Sequence, residues 1–380
     1  MSLRIAILGT RGIPNHYGGF ERFAEHLAPA LATAGYEVFV YNSHNHPYKK
    51  SVWKGVQILH VFDPEYMLGS AGQFVYDLNC ILDARKRHFD VILQLGYTSS
   101  SVWGRLFPQN CLVIYNMDGM EWQRTKYSPL ARRFLRYAEK LAVKYGHRFI
   151  ADSLAIQSYL HNKYSIKSEY IAYGAEPFHQ ASEQTLTEYG LSPSGYCLLI
   201  ARMEPENNIE IILDGFSQSS TQKQFLVVGD PDNKLGRRLV RKFSRDPRIN
   251  FVGSIYEDRK VHDLKFHSHL YFHGHSTGGT NPSLLEAMAS RSLIVAHDNL
   301  FNREVLGRDA YYFSGAREVA AIVDYTCRGP REECMIRNNL DKIRDKYNWE
   351  LIVSKYEYFM LECLYSPSNE RSILYRRYAD

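Results

Sequence analysis

The chain has 380 residues, 45% of them hydrophobic and 23% charged, which is ordinary soluble globular material and long for one core. Its net charge of +5 is too small to argue for nucleic acid. No apolar run approaches the roughly 20 residues of a spanning helix. The six cysteines (Cys80, Cys111, Cys197, Cys327, Cys334 and Cys363) include no CxxC pair, which disfavours zinc and a disulfide framework and fits a reducing cytoplasm.

Arg4 to Leu8 reads as a buried strand and not as a signal peptide. A glycine-rich loop, Gly9 to Gly19, follows. The next helix is predicted from Phe20 to about Ala34, with Phe23, Leu27 and Leu31 on one face and Gly35 as its stop. The loop lacks the GxGxxG order, and no acidic residue clearly ends the second strand, so nicotinamide binding is disfavoured. Gly18 and Gly19 can bring backbone N–H groups to a phosphate; alternatively the glycines serve only the turn. Further strands are predicted at Val38–Tyr41, Val56–Val61, Val91–Leu95, Leu112–Tyr115 and Phe149–Ala151. Strands alternating with helices imply a parallel sheet that binds ligands beyond the carboxyl ends of its strands. At one such end, Asn116 to Trp122 carries two carboxylates. Asp118 or Glu121 can bind an acceptor hydroxyl or act as its base, or the pair is an acidic turn in solvent. The segment Arg124 to Arg148 then holds eight cations against one acid, Glu139. Leu130, Phe134, Leu141 and Tyr145 interleave on an apolar face. Such a helix suits an anionic membrane, or is a core-facing helix with a solvated basic side.

Near residue 174 the first series ends, and 177–193 reads as a connector with a short helix. A second series is predicted at Tyr196–Ala201, Gln224–Val228, Ile249–Val252, Leu270–Phe272, Leu293–Ala296 and Ala310–Phe313. Arg202, just past the first of these, sits where a guanidinium can hold two phosphate oxygens. Asp230-Pro231-Asp232 has the spacing of a metal-binding carboxylate pair but reads more naturally as a turn. His267, His269, His273 and His275 lack a carboxylate or cysteine to complete a metal site. His273 or His275 is better read as a hydrogen-bond donor lining the site, or as packed core. After Leu270–Phe272, Gly278 and Gly279 permit positive φ, Asn281 is an N-cap and Pro282 suits the first helical position. Leu284, Leu285 and Met288 give that helix an apolar face, with Glu286 on another. Its first turn attracts phosphate, and the carboxylate one turn on can accept from sugar hydroxyls, a pairing that suits a nucleotide-sugar. A last amphipathic helix runs from Trp349 to Leu364, with Leu351, Ile352, Tyr356 and Phe359 at helical spacing.

Together these stretches resemble glycosyltransferase family 4, the retaining enzymes of GT-B fold. Within it they look most like the bacterial branch that includes β-1,4-rhamnosyltransferases of cell-wall and capsular polysaccharide assembly. The resemblance rests on Gly9 to Pro14 with Tyr17 to Glu21, on Asn116 to Trp122, on Ala201 to Asn208 and on Gly278 to Glu286. It implies two Rossmann-like doubly wound domains facing a cleft. Residues 1–173 would bind the acceptor and 174–348 the nucleotide-sugar, with 349–380 packing back on the first domain. By the same resemblance Arg202 holds the pyrophosphate, with Gly279, Thr280, Asn281 and His275 around it. Glu286 binds the ribose, Ile255 and Tyr256 flank the base, and Gly18 and Gly19 close on the phosphates. Two positions depart from the family pattern: Asn207 stands where a Lys is usual, and Gly278 where a Glu is usual. Both sit easily with a 6-deoxy sugar.

The expected activity is transfer of L-rhamnose from dTDP-L-rhamnose to a lipid-linked saccharide in bacterial cell-surface polysaccharide synthesis, without a metal cofactor. The alternatives are a UDP- or GDP-sugar donor on the same scaffold, or a catalytically silent membrane-associated scaffold. The expected setting is cytoplasmic, peripheral on the inner face of the plasma membrane through 124–148, with no nucleic acid partner.

Overall fold

The computed structural model describes residues 2–16, 18–117, 119–124 and 126–365. They divide into two compact units: one takes residues up to 123, 127–173 and 349 onward, the other 124–126 and 174–348.

The first unit is built on eight strands: β1 (Arg4–Leu8), β2 (Glu37–Ser43), β3 (Val52–Trp53), β4 (Val56–Val61), β5 (Val91–Leu95), β6 (Leu112–Asn116), β7 (Arg148–Ala151) and β8 (Glu169–Tyr170). Their order is β3-β4-β2-β1-β5-β6-β7-β8, parallel throughout except for β3 against β4. β5 and β6 are buried along their whole length, as unbroken apolar runs require when helices cover both faces of a sheet. β3 and β8 have two residues each, too few to leave a periodic signal in the sequence. The helices between them are α1 (Gly19–Thr33), α2 (Glu65–Leu68), α3 (Gly72–Ala84), α4 (Pro129–Tyr145) and α5 (Leu154–Tyr164).

The glycine-rich loop is fixed by its neighbours. Gly9 has φ +86°, and a Cβ there would lie 2.0 Å from the Leu95 carbonyl oxygen. Gly12, at φ +125°, is pressed against the buried Asn42 side chain, which accepts from the Ile13 N–H and donates to the Ile13 carbonyl. These two glycines serve close packing against β5 and β2. Gly18 is the N-cap of α1, and the buried Glu21 one turn in accepts from the Arg11 N–H at 2.7 Å.

The second unit holds β9 (Tyr196–Ile200), β10 (Gln224–Val228), β11 (Ile249–Phe251), β12 (Leu270–His273), β13 (Ile294–His297) and β14 (Tyr311–Phe313). All pair in parallel, in the order β11-β10-β9-β12-β13-β14. Its helices are α6 (Gln184–Glu188), α7 (Ile209–Gln218), α8 (Lys234–Phe243), α9 (Asp258–His267), α10 (Pro282–Ala289), α11 (Leu300–Leu306), α12 (Ala316–Tyr325) and α13 (Pro330–Lys346). Phe216, Phe225 and Phe272 pack through its core, edge-to-face and tilted, at 4.9 and 5.4 Å between centroids. The strand order reverses between β9 and β12. In open α/β sheets that switch point is where ligands bind, at the carboxyl ends of the strands.

The last helix among the described residues, α14 (Trp349–Tyr365), belongs to the first unit. Tyr356 packs on Phe23 of α1 at 4.9 Å between centroids and accepts from Asn116 Nδ2 at the end of β6. Its buried stripe is Ile352, Tyr356, Met360 and Cys363, so Phe359 lies beside the stripe rather than on it.

α4 also departs from its expected face. Its buried residues are Leu135, Ala138, Glu139 and Ala142, while Leu130 is 78% exposed. Glu139, the one acid of the basic segment, points inward and accepts from Trp122, Tyr159, Tyr164 and Lys163.

Candidate functional site

The loops leaving β9 and β12 lie side by side, because the two strands are paired up to Leu199 and Phe272. Asn208 Nδ2 donates to the Gly274 carbonyl at 2.8 Å, and the Ser276 N–H and hydroxyl both donate to the Glu206 carbonyl, at 2.9 and 3.0 Å. The approach leaves no room for a side chain at Gly274, where a Cβ would lie 1.9 Å from the Asn207 oxygen.

Arg202 opens the first loop. Its side chain is exposed, and among the described residues it makes no hydrogen bond or ion pair. Its carbonyl accepts from Asn207 Nδ2 at 2.8 Å. A carbonyl can only accept, so this contact fixes which end of the Asn207 amide is NH2 and turns Oδ1 toward His275 Nδ1, 2.9 Å away. The proton of the imidazole therefore sits on Nδ1. Partial burial, with the Arg124 charge next in size, lowers the His275 pKa to about 4, so the ring is neutral near pH 7. His275 thus donates from Nδ1 to Asn207, which leaves Nε2 as the acceptor of the neutral ring.

Beneath these loops the Glu206 carboxylate is almost wholly buried, with Arg124 Nη1 at 3.3 Å and Lys126 Nζ at 3.9 Å; Lys126 also lies 3.6 Å from Glu204. Two cations expected in the membrane-facing segment are thus engaged with the second unit. The sequence did not single out Glu206, because only its pairing with Arg124, 82 positions away, accounts for its burial.

The second loop leads into α10. Asn281 caps it, accepting from the Ser283 N–H at 2.9 Å, with Pro282 in the first turn. Thr280 is buried, and of the glycine pair only Gly278 takes positive φ, at +115°. Leu284, Leu285 and Met288 are buried. Glu286 Oε2 accepts from Lys265 Nζ at 2.7 Å, and that lysine, on α9, is 1% exposed. The ammonium also lies 5.9 Å from the Tyr271 ring centroid. A buried cation holds the Glu286 carboxylate in place. Nothing in the local pattern around Leu264-Lys265-Phe266 announces it.

The remaining expected residues lie elsewhere. Ile255 and Tyr256 follow the edge strand β11, and Tyr256 is 87% exposed. Gly18 and Gly19 start α1, and Glu121 opens a single 3-10 turn, all in the first unit. Asp118 lies outside the described residues. The Asp230-Pro231-Asp232 segment is a turn in which the Asp232 N–H donates to Asp230 Oδ1 at 2.9 Å. His269 precedes β12 and His273 ends it, so the two sit at opposite ends of the strand. Among the described residues no three His, Cys, Asp or Glu side chains are grouped to hold a metal ion.

Residues 3–176 match the family model of a domain of unknown function, DUF1972, and residues 194–328 match the model described as glycosyl transferases group 1. No curated protein matches the chain in sequence. Among solved structures, sucrose-phosphate synthase from Thermosynechococcus elongatus superposes with TM-score 0.78 at 17% identity, covering 95% of this chain and 98% of that one. Anabaena HepE in complex with UDP and glucose gives 0.75 at 15%, covering 95% and 100%. The trehalose 6-phosphate synthase of Burkholderia multivorans gives 0.73 at 11%, covering 98% of each.

Fold and domain match define the class: the protein is a glycosyltransferase of GT-B architecture. The group 1 glycosyl transferase domain is its second unit, the one that carries Arg202, His275 and Glu286.

Proposed function

We propose that the protein is a retaining transferase that moves L-rhamnose from dTDP-L-rhamnose onto a lipid-linked saccharide, in bacterial cell-surface polysaccharide synthesis. One observation carries the donor half of this reading. Arg202, the capped N-terminus of α10 and the lysine-anchored Glu286 all belong to the loops and helix that follow β9 and β12 at the switch point. A guanidinium and first-turn N–H groups suit a diphosphate, and a fixed carboxylate suits ribose hydroxyls. Arg202 then stabilises the leaving phosphate, which takes the proton of the acceptor hydroxyl, and no protein nucleophile is required. Asp118 or Glu121 in the first unit would orient that hydroxyl, and Gly18 and Gly19 would meet the phosphates. Ile255 and Tyr256 would flank the base.

A second donor reading has a specific observation in its favour, since the solved HepE complex contains UDP and glucose. A thermal-shift panel decides between them, because a ligand stabilises the native state in proportion to RT ln(1 + [L]/Kd). With dTDP, UDP and GDP at equal concentration, dTDP should give the largest rise in melting temperature. A larger rise with UDP would transfer the proposal to a UDP-sugar.

Membrane contact is supported by α4. Arg133, Arg136, Lys140 and Lys144 are exposed, as are Leu130 and Tyr137, and the helix's one acid is turned inward. Phe134 of the same helix packs on Phe74 of α3, the helix reached through α2, whose Tyr66, Met67 and Leu68 are exposed. Cations with interleaved apolar side chains suit an anionic lipid surface. No helix among the described residues is long and apolar enough to cross a membrane. Arg133→Glu/Arg136→Glu/Lys140→Glu should abolish flotation with vesicles containing phosphatidylglycerol at low salt. Unchanged flotation would remove this part of the proposal.

A further inference from the structure

The two positions at which the sequence departs from its family pattern, Asn207 and Gly278, meet at one side chain. Asn207 Oδ1 lies 2.9 Å from His275 Nδ1, and a Cβ built on Gly278 would lie 3.4 Å from His275 Nε2. With its chain neighbours Thr277 and Gly279 left out, that nitrogen is the one heavy atom of the described residues within 4 Å of the Cβ position. The missing side chain at Gly278 therefore leaves Nε2 uncovered on that side, while the Thr277 backbone reaches the ring from its own loop. The imidazole is thus held at Nδ1 by Asn207, and no side chain at position 278 covers Nε2. The Arg202 carbonyl orients the Asn207 amide, the amide oxygen takes the Nδ1 proton, and a lone pair is left at Nε2.

From this arrangement we infer that His275 is a sugar-recognition residue, whose Nε2 accepts a hydrogen bond from a hydroxyl of the transferred sugar. The chemistry separates this from a phosphate contact. A lone pair repels a phosphate oxygen and attracts an O–H, and the ring does not become a cation near neutral pH because burial and the Arg124 and Arg202 charges oppose it. Arg202 would read the diphosphate and His275 the sugar. Asn207 is then a positioning residue that acts by fixing the tautomer. A site built to accept from a hydroxyl discriminates against a sugar that lacks one there, since the acceptor would be left unpaired. The inference rests on the proposed nucleotide-sugar donor and adds which group reads the sugar.

The test compares a nucleotide-sugar with its nucleoside diphosphate by calorimetry on the full chain, using dTDP-L-rhamnose against dTDP and UDP-glucose against UDP. His275→Ala should weaken the preferred nucleotide-sugar by about fivefold to tenfold, the loss of one hydrogen bond, and leave the matching diphosphate unchanged. His275→Gln, whose side-chain carbonyl can still accept, should recover part of the loss. In the ¹⁵N-labelled protein, long-range proton–nitrogen correlations should show a single Nδ1–H tautomer at His275. Asn207→Leu should mix the two tautomers at an unchanged melting temperature. Equal loss for sugar and diphosphate, or a Nε2–H tautomer in the unmutated protein, would overturn the inference and leave the donor reading standing. Failure of the unmutated protein to bind any of the four compounds would overturn both.

Discussion

Arg202→Ala is expected to lower kcat by roughly 10²–10³-fold, the usual consequence of removing one preorganised group that meets charge developing in the transition state. Stability should change by less than about 0.5 kcal/mol, because the side chain is exposed and makes no hydrogen bond or ion pair among the described residues that its removal would break. Charge and geometry can be told apart with Arg202→Lys. It keeps the cation but loses the planar fork that grips two oxygens, so intermediate turnover is expected. The carbonyl of residue 202 holds Asn207 whatever the side chain, so neither variant should disturb the loop. Steady-state turnover with a lipid-pyrophosphate acceptor, alongside thermal denaturation, reads both quantities. Near-normal turnover in the alanine variant would refute the phosphate role.

The features legible in the sequence were those set by neighbours along the chain. β1, β4, β5 and β10 have the bounds their apolar runs predicted, and Phe23, Leu27 and Leu31 of α1 are all buried. The Asn281-Pro282 start of α10 is as local, since cap and first turn are sequence neighbours. What escaped depends on partners far away in sequence. Helical periodicity alone put Leu130 on the apolar face of α4. The face is set instead by Glu139, whose partners Tyr159, Lys163 and Tyr164 come from α5. A count of charges put Arg124 with the membrane-facing cations, but a buried carboxylate 82 positions on holds it to the second unit. The sequence offered His267, His269, His273 and His275 as one group. β12 ends at His273, so His275 belongs to the loop that follows.

Replacing Glu286 should have the largest effect on stability. Lys265 is 1% exposed, and Glu286 is the one carboxylate its ammonium meets among the described residues. Removing one member of such a pair strands a charge in the interior, which costs about 3–5 kcal/mol. Because the glutamate side chain is itself 28% exposed, water can partly reach the amine once the carboxylate is gone, which places the expected loss at the lower end, about 3 kcal/mol for Glu286→Leu. The double variant Lys265→Met/Glu286→Leu removes the stranded charge and should recover most of that loss. Glu286→Gln separates structure from binding. Its amide oxygen still accepts from Lys265, so the melting temperature should fall only slightly. A ribose hydroxyl, however, loses the charge-assisted partner, which should weaken nucleotide binding by roughly tenfold. If the glutamine variant binds nucleotide as tightly as the unmutated protein, Glu286 is an anchor for Lys265 and not a ribose ligand. If the leucine variant is as stable as the unmutated protein, the buried pair does not hold α9 to α10. The two outcomes are independent, since one reads the exposed side of the carboxylate and the other its buried side.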